Sequence, residues 1–70
     1  MIRIKLSTLL GEKKMTQSEL ARKTGIRKAT INELYWELNE SIKLDTIDKI
    51  CEALDCEISD LLVRESERKK

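Results

Sequence analysis

Cys51 and Cys56 are the only cysteines in the sequence, five residues apart, and histidine is absent. A tetrahedral metal site needs four ligands of the cysteine, histidine and carboxylate kinds, so one pair of thiols without a histidine falls short of it. Cys51 recurs at helical spacing with Ile47, Ile50 and Leu54, which marks it as a small apolar residue of a core, while Cys56 falls in a turn. Both are expected to be reduced and to carry no redox or metal chemistry. Serine and threonine hydroxyls are present, but nothing in the chain can activate them. The commonest general base is missing, and no glycine-rich loop can cradle a phosphate. The expectation is a protein without enzymatic activity, cofactor or small-molecule ligand.

Charge is more informative once it is divided along the chain. Residues 1–36 carry eight basic side chains (Arg3, Lys5, Lys13, Lys14, Arg22, Lys23, Arg27, Lys28) against three acidic ones, a net of +5. Residues 37–70 carry six basic and ten acidic, a net of −4, so the total of +1 conceals two electrically different halves. That asymmetry suits a polyanion on one side, although charge also keeps small helical domains soluble. With 70 residues and 40% hydrophobic content, the chain has the composition of one small folded domain. No apolar run is long enough to cross a bilayer, and Met1-Ile2-Arg3-Ile4-Lys5 lacks the apolar stretch of a secretory signal. A cytoplasmic protein with no membrane partner is expected.

The elements that would position these charges are helices. Ile2, Leu6, Leu9, Leu10 and the stem of Lys13 recur every three or four residues, which predicts a first helix from the start of the chain. Thr16-Gln17-Ser18-Glu19 matches a capping box, in which hydroxyl and carboxylate each bind the other residue's amide, so a second helix begins there. It ends near Thr24, because Gly25 tolerates the left-handed conformation that closes a helix. A third runs from Arg27 or Lys28, with Ile31, Leu34, Tyr35 and Leu38 inward and Lys28, Ala29, Asn32, Glu33 and Trp36 on its outer stripe. A polar loop, Asn39-Glu40-Ser41, precedes a fourth helix that buries Leu44, Ile47, Ile50, Cys51 and Leu54 and breaks around Asp55-Cys56. A fifth begins near Ser59 and buries Ile58, Leu61 and Leu62. The domain is set at residues 1–64, followed by a charged tail, 65–70. The stretch from Arg64 onward is expected to fray.

The second and third helices with their intervening turn reproduce a helix-turn-helix. Gln17, Ala21, Gly25, Ile31 and Leu34 fall at relative positions 1, 5, 9, 15 and 18 of that unit. Ala21 must be small where the helices cross, Gly25 must accept a positive φ, and Ile31 and Leu34 fill the angle between them. Together with Lys14-Met15-Thr16-Gln17-Ser18-Glu19-Leu20-Ala21, Thr24-Gly25-Ile26, the run from Leu44 to Leu54 and Asp60-Leu61-Leu62, these residues resemble the Cro/CI-type (XRE-family) helix-turn-helix transcriptional regulators of bacteria and their phages over residues 5–63.

The resemblance implies a compact, all-α, five-helix lambda-repressor-like domain that binds double-stranded operator DNA through its third helix, commonly as a homodimer. Carried onto this sequence, the base readers would be Lys28, Ala29, Asn32 and Glu33. Lys28 suits guanine, Asn32 adenine, Ala29 a thymine methyl and Glu33 the cytosine amine, though Glu33 needs a donor to sit near phosphates. Thr16, Gln17, Arg27 and Thr30 would hold phosphate, with Lys14 a further candidate. The chain departs from the family pattern in several places. No Asn-Gly turn follows the third helix, so that helix is expected to run longer. Lys43 cannot accept the amides of the fourth helix, which would start later or use Ser41. Leu10 either adds to the core or leaves an apolar spot for a partner. Trp36 either anchors a partner or packs back over Leu38, with DNA contact opposed by Glu33, Glu37 and Glu40 around it. The leading expectation is a sequence-specific DNA-binding transcriptional regulator, a repressor. The alternative is the same fold used as a protein-binding or dimerisation module, such as an antitoxin, anti-repressor or adaptor.

Overall fold

The alternation Ile2-Arg3-Ile4 has a period of two, and it is this period that governs the start of the chain. In the computed structural model, which describes residues 1–66, strand β1 (Ile2–Ile4) precedes helices α1 (Leu6–Lys13), α2 (Gln17–Thr24), α3 (Lys28–Tyr35), α4 (Leu44–Leu54) and α5 (Ile58–Leu61), and strand β2 (Leu62–Arg64) follows. The five helices match the expectation, and the two strands were not foreseen. They pair antiparallel with Ile2 opposite Arg64, Arg3 opposite Val63 and Ile4 opposite Leu62. Backbone bonds continue the ladder on both sides, from Lys5 N–H to the Leu61 carbonyl (2.7 Å) and from Glu65 N–H to the Met1 carbonyl (2.8 Å).

This ribbon corrects two expectations with one cause. Ile2 does not belong to the first helix, and Arg64 is not frayed, because each extended segment supplies the other's backbone partners. Ile4 and Leu62, neighbours on one face, pack against the core, whereas Ile2 is exposed. Of the predicted tail, residues 67–70 lie outside the described residues.

The core consists of Leu6, Leu9, Leu10, Leu20, Ile31, Leu34, Ile47, Ile50, Leu54 and Leu61, one cluster fed by all five helices. Leu10 is 3% exposed, so of its two expected roles it takes the core one and offers no surface to a partner. Three residues expected inside are outside. Leu38 is 68% exposed because α3 has already ended, and Leu44 is 82% exposed at the first position of α4, ahead of the stripe that begins at Ile47. Ile58, opening the one-turn α5, is exposed as well. Cys51 and Cys56 are both free and half-buried. Burial, assisted by the adjoining Cys56, pushes the Cys51 thiol up to about 11, so it stays protonated at neutral pH.

Helix ends are set by local chemistry. At α2, Glu19 N–H donates to Thr16 Oγ1 (3.1 Å) and Thr16 N–H to Glu19 Oε1 (2.8 Å), the expected capping box. Gly25 closes α2 at φ 77°, and its amide donates to the Ala21 carbonyl (2.8 Å). Helix α4 starts at Leu44 directly after Lys43 without a side-chain cap, so neither the later start nor the Ser41 cap occurs. The third helix is not extended. It stops at Tyr35, where Leu38 N–H donates to the Glu33 carbonyl (2.9 Å) and Glu37 N–H to the Leu34 carbonyl (3.2 Å), the paired bonds of a Schellman closure. Glu37 takes the left-handed position of that closure, φ 57°, which glycine usually fills.

Candidate nucleic-acid interface

The surface available to a polyanion is set by how α2 and α3 meet. Leu20 is buried beneath α2, Ala21 is half-buried at the crossing, and Ile31 and Leu34 fill the angle, as the spacing predicts. Thr24 contributes a support that sequence reasoning missed. Its hydroxyl donates to the Leu20 carbonyl (2.8 Å) and accepts from Ile26 N–H (3.1 Å), bracing the turn around Gly25 from inside. A threonine one residue before the closing glycine was the available signal.

With Ile31 and Leu34 turned inward, α3 presents Lys28, Ala29, Asn32 and Glu33 to solvent along one stripe. Arg27 is exposed at the N-cap. Thr30 is half-buried and, with Arg27 and Glu33, lines a cleft between α3 and the beginning of α4. At the start of α2, Thr16 is exposed and Gln17 half-buried. The capping box occupies the amides of Thr16 and Glu19, so the helix start offers an anion those of Gln17 and Ser18. The Glu19 carboxyl is held below its ordinary range, first by the Thr16 amide and further by the charges of Arg22 and Lys23.

Two of the outward side chains are tied down. Trp36 Nε1–H donates to Asn32 Oδ1 (3.2 Å), and Asn39 Nδ2–H donates to Glu33 Oε1 (3.2 Å). Asn39 is the donor Glu33 required, supplied by a residue read only as loop. The Trp36 ring stands edge-on to Tyr35 at 5.1 Å and 72°. At 62% exposure it does not pack back over Leu38, which removes the core reading of this residue.

The acidic cluster expected around Trp36 is also smaller than the sequence suggests. Glu37 turns away to the first strand, where its carboxylate accepts from Arg3 Nε (2.8 Å), Arg3 Nη2 (2.8 Å) and the Ile4 amide (3.1 Å). These donors, Arg3 first, hold the Glu37 carboxyl down to about 2, and the same pairing raises Arg3. Trp36, Lys14, Thr16 and Gln17 line a shared groove between the end of α3 and the turn from α1 to α2.

A small helical domain with a helix-turn-helix and an exposed, polar second helix of that unit is the architecture of a DNA-binding module. The comparisons with known proteins agree. A family model for the Cro/C1-type HTH DNA-binding domain matches residues 5–67. The chain is 34% identical over 59 residues to the uncharacterized HTH-type transcriptional regulator YozG of Bacillus subtilis (strain 168), covering 84% of this chain and 70% of that protein. It also superimposes on the crystal structure of a proposed DNA-binding protein from Bacteroides fragilis with a TM-score of 0.80 and 25% identity, over 90% of this chain and 100% of the other. The chain belongs to the Cro/C1-type helix-turn-helix DNA-binding family.

Proposed function

We propose that the protein is a sequence-specific transcriptional regulator that lays α3 in the major groove of double-stranded DNA and acts as a repressor by occupying its site. The observation that carries this reading is the division of α3 into two faces. Ile31 and Leu34 are buried, and the opposite stripe is a set of base-reading side chain types in a helix of the width the groove accepts. Lys28 donates to guanine, Ala29 touches a thymine methyl, and Asn32 and Glu33 read adenine and cytosine. Thr16, Gln17, Arg27 and Thr30 hold the backbone, with Lys14 beside them. The protein works in the cytoplasm, and two copies bind half-sites roughly 34 Å apart. Among the described residues, no helix is long and apolar enough to cross a membrane.

Exposed Trp36 and Leu38 favour a second reading, in which the same fold captures a protein partner. Selection of duplexes from a random library at physiological salt separates the two. A shared motif among the bound sequences, with affinity falling steeply as salt rises, supports the regulator. No enrichment, together with self-association or partner capture that Trp36→Ala abolishes, supports the binding module.

A further inference from the structure

We infer that Trp36 is a positioning residue for Asn32, and that its indole N–H biases the Asn32 amide toward adenine over guanine. This rests on the DNA-reading role of α3 given above. An asparagine side chain on an open helix face has two ends of nearly equal shape, an oxygen that accepts and a nitrogen that donates, and its terminal torsion is soft. Left alone it can offer either end. The indole N–H can only donate, so a tryptophan at hydrogen-bond distance selects the oxygen.

Trp36, the residue that caps the C-terminus of α3, stands four residues after Asn32, and its Nε1–H lies 3.2 Å from Asn32 Oδ1. The backbone amide of Trp36 donates to the Asn32 carbonyl (3.1 Å), which places the residue at the end of the helix, and its ring meets Tyr35 edge-on at 5.1 Å. Tyr35 packs against the core on one side, and on the other Glu37 is fastened to Arg3 and Ile4. The exposed ring thus has one edge against Tyr35 and its N–H on the Asn32 amide, which favours one orientation of that amide.

The consequence follows from lone pairs. Oδ1 keeps a second lone pair and Nδ2 keeps both hydrogens, so the held amide presents an acceptor beside a donor. Adenine offers the complement, an N6 donor beside the N7 acceptor. Guanine offers two acceptors, N7 and O6, and satisfying both requires turning the amide until only its nitrogen faces the base. That change of pose moves Oδ1 from the position in which it accepts from the indole N–H, so the guanine pose competes with that bond. Trp36 thus acts on specificity without touching a base.

The test has one arm without DNA and one with it. In the free protein, 15N relaxation of the Asn32 side-chain amide should show an ordered group that becomes mobile in Trp36→Phe, which retains a ring against Tyr35 but lacks the N–H. Duplex selection is then run on the wild type, Trp36→Phe, Asn32→Ala and the double variant. The wild type should prefer adenine over guanine at one base pair of each half-site by about fivefold or more. Trp36→Phe should select the same site with that one preference weakened but still above that of Asn32→Ala, and the double variant should match Asn32→Ala within about twofold. An unchanged preference in Trp36→Phe overturns the inference while leaving the regulator reading intact. Uniform weakening at all positions with a shallower salt slope also overturns it, because the ring would then be a backbone contact. Loss of self-association in Trp36→Phe with the base preference kept overturns it in favour of a partner anchor. If the wild type enriches no duplex, the regulator reading and the inference fall together.

Discussion

Arg3 and Glu37, 34 residues apart, are joined by two parallel hydrogen bonds of 2.8 Å, and the Glu37 carboxylate also accepts from the amide of Ile4 at 3.1 Å. Glu37 is the left-handed residue that closes α3, a conformation that disfavours any side chain beyond glycine. The three bonds offset that cost and fix the end of α3 to β1. Because β1 is zipped to β2, the helix with the outward stripe is held from both ends of the chain. The ribbon is thus part of what positions the outward stripe of α3.

Acid should loosen this clasp. The Glu37 carboxyl is held down to about 2 in the folded chain against an ordinary 4.5, so the unfolded chain binds the proton first and stability falls as pH drops from about 4.5 towards 2. Above that window the contribution is fully present. Chemical denaturation as a function of pH should give a wild-type stability that declines across it. Glu37→Gln, which never carries the charge, should be less stable at neutral pH and show a shallower decline. Equal slopes for the two proteins would remove the clasp from the account.

Gly25 tests the turn between α2 and α3. An added Cβ would meet nothing within 4 Å, so at φ 77° the penalty of Gly25→Ala is conformational alone. About 1–2 kcal/mol of stability should be lost, read from the urea midpoint. A neutral substitution would mean that the turn does not need the left-handed conformation.

Leu44 and Ile47 separate the apolar residues the sequence groups together. Leu44, 82% exposed, should tolerate Leu44→Ala with a change within about 0.5 kcal/mol. Ile47, buried in the same helix, should lose about 2–5 kcal/mol as Ile47→Ala. Similar losses at both would show that the start of α4 packs inward after all.

What the sequence made legible is what is settled locally. The capping box spans Thr16 to Glu19, Gly25 closes the helix it follows, and Ile31 and Leu34 lie one turn apart on one face. Each depends on neighbours within a few residues. The β1–β2 ribbon and the Arg3–Glu37 clasp depend on contacts across the chain, and the alternation in three residues at the start was outweighed by the helical spacing of Ile2 with Leu6. Leu38 and Leu44 were misread by continuing a periodicity past the point where the helix stops or before its stripe begins. At the site, the exposed stripe of α3 was legible, but its fastening was not. The Trp36–Asn32 bond has the i, i+4 spacing that could have revealed it, while Asn39 reaches Glu33 only because α3 ends at Tyr35.

On the preferred duplex, Lys28→Ala and Asn32→Ala should each cost about 1–3 kcal/mol of affinity, measured by fluorescence anisotropy at fixed salt. Each should relax preference at a single base pair. A loss that is the same for every duplex tested would make these residues backbone contacts.

The most direct test of the reading as a whole is to follow backbone amide signals by NMR while a selected duplex is added at physiological salt. The largest shifts should fall on residues 27–33 and at the start of α2, with α5 and the acidic end of α4 undisturbed. Shifts centred on α4 and α5 with α3 unmoved would contradict the account.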